Sequence, residues 1–135
     1  MSRLKTAIIA IAAIIASIAT AVAADSKSAG IQFAELTHDF GTVQEKNGPV
    51  SHTFKFTNTG NAPLVIISAK TSCGCTKPSF PKQPIQPGDS SEITVTYNPD
   101  GRPGEFDKSV TVRTNVKGRD RKVALRLLGT VIPRQ

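Results

Sequence analysis

The sequence predicts an all-β fold, a two-sheet antiparallel sandwich of about seven short strands. Three observations carry this prediction. Beyond residue 30 the apolar residues recur with period two, the strand period. The runs are short, and turns rich in glycine and proline separate them; all 10 glycines and 9 prolines lie beyond residue 29. No window of about ten residues in this region repeats with helical spacing.

The elements follow in order. Ile31 and Phe33 open a short run, and Phe40 with Val43 flank a turn at Gly41. Val50, His52, Phe54 and Phe56 alternate with Ser51, Thr53, Lys55 and Thr57. Leu64 to Ser68 is a continuous apolar run, which suits a strand covered on both faces. Ile93, Val95 and Tyr97 form the next strand, then Phe106, Lys108, Val110 and Val112, then Val123, Leu125, Leu127 and Gly129 to Val131. The connections Asn58 to Pro63, Pro87-Gly88-Asp89, Asn98 to Gly101 and Asn115 to Gly118 combine residues that accept positive φ with prolines that cannot continue a ladder. A small closed barrel would leave the same alternation. With no tryptophan and two cysteines, the chain lacks the Cys…Trp…Cys arrangement of antibody-type domains.

Ahead of the strands, residues 1–24 read as a signal peptide. Arg3 and Lys5 form a basic start, Thr6 to Ala24 is uncharged, and Ala21-Val22-Ala23 is a small-residue cleavage pattern. The alternative is an uncleaved segment that anchors the chain to a membrane. Residues 25–30 form a polar linker, and 31–135 the sandwich domain. The protein is expected to be exported, periplasmic or secreted. The whole chain carries a net charge of +7, and cleavage after residue 24 leaves about +5. Export places nucleic acid out of reach, so the basic surplus would meet anionic glycans, lipid headgroups or an acidic envelope partner. The cluster Arg113, Lys117, Arg119, Arg121, Lys122 and Arg126 is the candidate anionic contact, although such a run is more often a solvated hairpin.

Four blocks then stand out: Asp39 to Val43, Phe54 to Leu64, Ser72-Cys73-Gly74-Cys75-Thr76, and Pro84 to Gly88. In order and spacing they resemble the exported bacterial family called domain of unknown function 1573, and they span nearly all of the domain. The first two also resemble the wider group of cilium-associated and sperm-protein-like immunoglobulin-type sandwiches. The resemblance implies an immunoglobulin-like fold and export. It carries no functional residue over.

Cys73-Gly74-Cys75 is the one motif with chemical content, and three readings stand beside each other. As a passive bridge or packing pair at the end of the strand that starts at Leu64, it would do little for stability. Closing a three-residue loop is worth only about 1.6 kcal/mol by chain entropy. As a thiol–disulfide pair it has cationic surroundings in Lys70, Lys77 and Lys82, which favour thiolate. In a straight strand, positions i and i+2 lie roughly 6.6 Å apart, so bridging needs a bend, which Gly74 is expected to permit. As a metal site, Cys73 and Cys75 would suit copper(I); a zinc set completed by His38 and His52 has the wrong spacing.

His52 shares a face with Val50, Phe54 and Phe56 and reads as a half-buried sheet residue with a hydrogen-bonded ring. His38 precedes a turn that Asp39 is expected to cap. No phosphate-binding glycine loop, Gly-x-Ser-x-Gly elbow or spaced carboxylate pair is present in the sequence. The expected function is therefore a non-enzymatic module for protein binding or assembly in the cell envelope, with copper handling or thiol–disulfide chemistry at Cys73 and Cys75 as the alternative.

Overall fold

The computed structural model describes residues 26–135; the signal-peptide reading of residues 1–24 falls outside them. Eight strands form two sheets. They are β1 (Gln32–Phe33), β2 (Thr37–Gln44), β3 (Val50–Thr57), β4 (Ile66–Lys70), β5 (Thr76–Ser79), β6 (Ser90–Tyr97), β7 (Gly104–Thr114) and β8 (Lys122–Ile132). One sheet has the order β1-β3-β6-β5 and the other β2-β8-β7-β4. No helix among the described residues is long and apolar enough to cross a membrane.

The period-two pattern sets the core. Phe54, Phe56, Ile93, Val95 and Tyr97 point inward from the first sheet. Phe106, Val110, Val112, Leu125, Leu127 and Val131 meet them from the second. Tyr97 stacks on Phe106 across the layers, with ring centroids 4.0 Å apart. Burial of each such side chain contributes roughly 1.5–3 kcal/mol.

Three details differ from the sequence expectation. The pairing is not antiparallel throughout, because β2 runs parallel to β8. The apolar run from Leu64 is not one strand. Leu64 makes an isolated bridge to Ile85, and the ladder with β7 starts at Ile66 and carries an irregularity before Ser68. Cys73 and Cys75 thus do not end that strand; they lie in the link to β5, a strand the alternation did not reveal because it is four residues long and contains Pro78.

The stretch read as a linker is tied down. Ala29 is buried, Ser28 accepts the Asn61 amide (2.9 Å) and Gly30 accepts that of Thr59 (3.2 Å). At the centre is Asn58, 1% exposed. Its Oδ1 accepts the amides of Gly60 (2.9 Å) and Gly30 (3.3 Å), and its Nδ2 donates to the carbonyls of Ala62 (2.8 Å) and Ile85 (2.9 Å). A Cβ on Gly60 would stand 2.2 Å from the Ser28 carbonyl oxygen, so only glycine allows this approach. Asn58→Ala would strip four backbone groups of their partner. It is expected to lower unfolding free energy by roughly 2–4 kcal/mol in urea titration, where a loss under about 0.5 would refute the assignment.

Candidate functional site

The link of residues 71–75 carries the chain from β4, at the edge of one sheet, to β5, at the edge of the other. Cys73 and Cys75 are joined by a disulfide there, with Cα atoms 5.1 Å apart. That separation is well below the straight-strand value of roughly 6.6 Å, so the chain bends. The Thr76 amide donates to the Cys73 carbonyl (3.2 Å), and the Cys75 amide donates to Cys73 Sγ (3.2 Å). The Asn98 amide donates to the Cys75 carbonyl (2.8 Å) and fastens the link to the end of β6. Cys75 is buried in the core, while Cys73 is half-buried.

Gly74 is not what permits the bend. Its φ is not positive, and a Cβ there would meet nothing within 4 Å. Of the three lysines, Lys70 and Lys77 are exposed, and the Lys82 ammonium lies 3.6 Å above the Phe80 ring. A shallow cleft of about 270 Å³ adjoins the bridge, lined by Pro49, Gly74, Cys75, Lys77, Thr96 and Asn98.

His38 and His52 lie at the opposite edge, on β2 and β3, so the four residues of a Cys₂His₂ set do not meet. They meet each other instead. Their rings stack with centroids 3.6 Å apart and planes within 5°. Phe40 stands edge-on to His38 (4.6 Å) and Phe54 edge-on to His52 (4.8 Å). His52 Nε2 is hydrogen-bonded to Glu35 in the link between β1 and β2. Burial, and then the neighbouring His52, hold the His38 pKa below its ordinary value of 6.5, against the opposing pull of Glu35 and Asp39. Sequence reasoning left the two histidines apart. The available signal was the repeat His38-Asp39-Phe40 and His52-Thr53-Phe54, which puts each imidazole two residues before a phenylalanine on strands of the two facing sheets.

The basic cluster divides. Arg113 and Lys122 are directly opposite in the β7–β8 ladder, and Lys117, Arg119 and Arg121 are exposed on the connecting hairpin. Val116, buried, and a Thr114 hydroxyl donating to the Asp120 carbonyl (2.8 Å) shape that hairpin. Arg126 does not belong with them. Its guanidinium reaches the diagonal neighbour Asp107 (Nη2–Oδ2 2.5 Å), which raises its pKa. The patch therefore has five members.

Comparison with known proteins fixes the family. The family model described as "Protein of unknown function (DUF1573)" matches residues 31–131. The chain belongs to this family. No curated protein matches it in sequence. Among solved structures, a protein of unknown function from Porphyromonas gingivalis W83 is similar with TM-score 0.67 at 12% identity, over 78% of this chain and 48% of that one. The PapD-like domain 7 of human CEP192 is similar with TM-score 0.59 at 12% identity, over 80% and 89%. The VesB protease of Vibrio cholerae matches with TM-score 0.60 at 15% identity, over 76% and 32%. At these identities the likeness is one of fold, and the chain spans about half of the Porphyromonas protein or less of the protease.

In this DUF1573 domain each of the four sequence blocks has a structural task. Asp39 caps the Gly41 amide on β2 (2.8 Å), as the sequence led one to expect. Phe54 to Leu64 holds the core end of β3 and the Asn58 knot, Ser72 to Thr76 the bridged link, and Pro84 to Gly88 the loop that pairs Ile85 with Leu64.

The lowered pKa of His38 sets a direction for pH. Above 6.5 the ring is neutral folded or unfolded; as pH falls through 6.5 the unfolded chain takes up the proton first, and stability drops towards the lower folded value. His38→Phe keeps the stack and removes the proton site. The loss of stability between about pH 7.5 and about pH 5.5 is expected to be smaller in this variant by urea titration, and an equal loss would refute the role.

Proposed function

We propose that the domain is an exported, non-enzymatic binding module of the cell envelope, whose partner adds an acidic extended segment to the open edge of β4. The edge itself carries the reading. β4 ends its sheet, so one side of Ile66–Lys70 faces no strand among the described residues. Ile67, at the irregularity, is 58% exposed. Such edges pair with another chain unless they are blunted.

The charge beside the edge favours an acidic occupant. Arg113 lies opposite Ser68 of β4, and Lys122 lies opposite Arg113. Like charges directly opposite each other cost stability, on the scale of 0.2–1 kcal/mol per pair. Neither makes an ion pair among the described residues. An incoming carboxylate would relieve that repulsion, and exposed Lys70 would disfavour a basic strand. Export rests on Arg3, Lys5, the uncharged run and Ala21-Val22-Ala23. In cells, a photo-crosslinking amino acid in place of Ile67 is expected to yield one discrete adduct with an acidic envelope protein, weakened by Arg113→Glu. The same group in place of Glu105, mid-sheet at the other end of the face, should yield none. No adduct from position 67, or equal adducts from both, overturns the reading.

A second reading, thiol–disulfide exchange, is favoured by the half-buried Cys73 sulfur and the amide aimed at it, since that hydrogen bond would stabilise a thiolate. A dithiol partner would leave as its disulfide while Cys73 and Cys75 become two thiols, which could then hold copper(I). Equilibration with glutathione tests this. A reduction potential above the range of structural bridges, about −300 mV, supports exchange, and a lower one overturns it.

A further inference from the structure

We infer that Glu35, His38 and His52 form a binding site for a divalent transition-metal ion that clips the two sheets together at their rim. The three donors come from three segments. Glu35 lies in the link between the sheets, His38 on β2 of one sheet and His52 on β3 of the other. Their candidate ligand atoms all lie within 4.8 Å of one another.

The donors are near enough for one ion, but the rings must turn out of their stack to share it, because a metal lies in the plane of each imidazole it binds. Nitrogens bound to one tetrahedral zinc at about 2.05 Å stand about 3.3 Å apart. Side-chain rotation at the rim can supply the remaining difference of about 1.5 Å, because the site faces solvent on one side. The His52 side chain is 21% exposed and that of Glu35 44%. On the inner side, the rings of Phe40 and Phe54 stand edge-on to His38 and His52 and give each imidazole an apolar neighbour.

The chemistry also fits. Two imidazoles and one carboxylate are a donor set for zinc, cobalt, nickel and copper(II), with further positions left for water or an exogenous ligand. Binding requires neutral imidazole, the form histidine ordinarily takes above a pKa of about 6.5. An ion would replace the face-to-face contact of two like groups with a shared cation, and Glu35 would offset part of its charge. Because the donors span both sheets, metal that binds the folded chain and not the unfolded one must raise stability.

The chain has 2 histidines, so imidazole-dependent binding in an untagged protein identifies the site. The test adds zinc chloride to the untagged, chelator-free, disulfide-intact protein and reads calorimetry, thermal unfolding and the two histidine ring signals by NMR. About one equivalent is expected to bind, raise Tm and move both ring signals together, as two ligands of one ion require. Glu35→Gln, on the exposed link, keeps the stacked rings and is expected to weaken binding about tenfold or more, as is His52→Gln. The Cys73→Ser/Cys75→Ser double variant should bind as the parent does. No change in Tm under excess zinc, binding undiminished in both Glu35→Gln and His52→Gln, or binding lost with the cysteines would each overturn the site.

Discussion

The carboxamide of Asn58 is the constraint on which the arrangement of the strands depends. Its side chain closes four backbone hydrogen bonds, and its own amide and carbonyl bond to Asp89 and Gly88 at 2.9 Å each. Every polar group of a fully buried residue is therefore used, which is what makes it tolerable in an apolar layer. The partners are spread along the chain: Gly30 before β1, Gly60 and Ala62 after β3, and Ile85 and Gly88 before β6. One residue, through its side chain and its backbone, thus sets where the first strand enters, where β3 turns out of its sheet and where β6 begins. An aspartate would keep the two acceptor bonds and lose both donors, and a leucine would lose all four.

With that end of the sandwich fixed, the chain must cross between sheets at both edges, and the crossings hold the unusual groups. On one side, residues 71–75 pass from β4 to β5 and carry the disulfide. On the other, Glu35 joins β1 to β2, beside the stacked histidines. The layers between leave little room for polar chemistry, since inward positions on the central strands are filled by Phe54, Ile93, Val95, Val110, Val112, Leu125 and Leu127, each at most 1% exposed. Crossing segments lie at the margin of that packing, so that Cys75 is buried while Cys73 and Glu35 stay within reach of solvent.

Much of the fold was legible because alternation is a direct record of burial. Val50 to Thr57 and Glu92 to Tyr97 read as strands in the sequence and pair residue for residue in the structure, where the second begins two residues earlier at Ser90. β5 was not legible, since four residues with a proline carry no period, and its place comes from pairing with β6. The parallel partnership of β2 and β8 was hidden for a different reason: alternation tells which face a residue takes and says nothing of strand direction. The candidate sites were legible only in part. Cys73 and Cys75 are neighbours in sequence, so their motif shows at once. Glu35, His38 and His52 become one group only when the two sheets close, and neither sheet alone brings all three together.

The outer face of the β2–β4 sheet shows how the same register sorts charge as well as apolar surface. Along β7 and β8 the outward pairs run from Glu105–Thr130 and Asp107–Leu128 at one end to Arg113–Lys122 at the other. Arg126, in the middle, turns to Asp107 and closes the acidic end with an ion pair. Among the described residues no ion pair forms at the basic end, where Lys117, Arg119 and Arg121 outnumber Asp120 on the hairpin. Exposed ion pairs are worth little to stability, so folding exerts weak pressure to neutralise this end, yet the field of five cations, offset only by Asp120, persists over roughly a Debye length of 8–10 Å. That distance covers the open edge of β4, since adjacent strands are only about 4.8 Å apart. Backbone groups free to pair and a field of one sign thus occupy the same corner of the molecule. A partner strand gains from both only if it is extended and acidic.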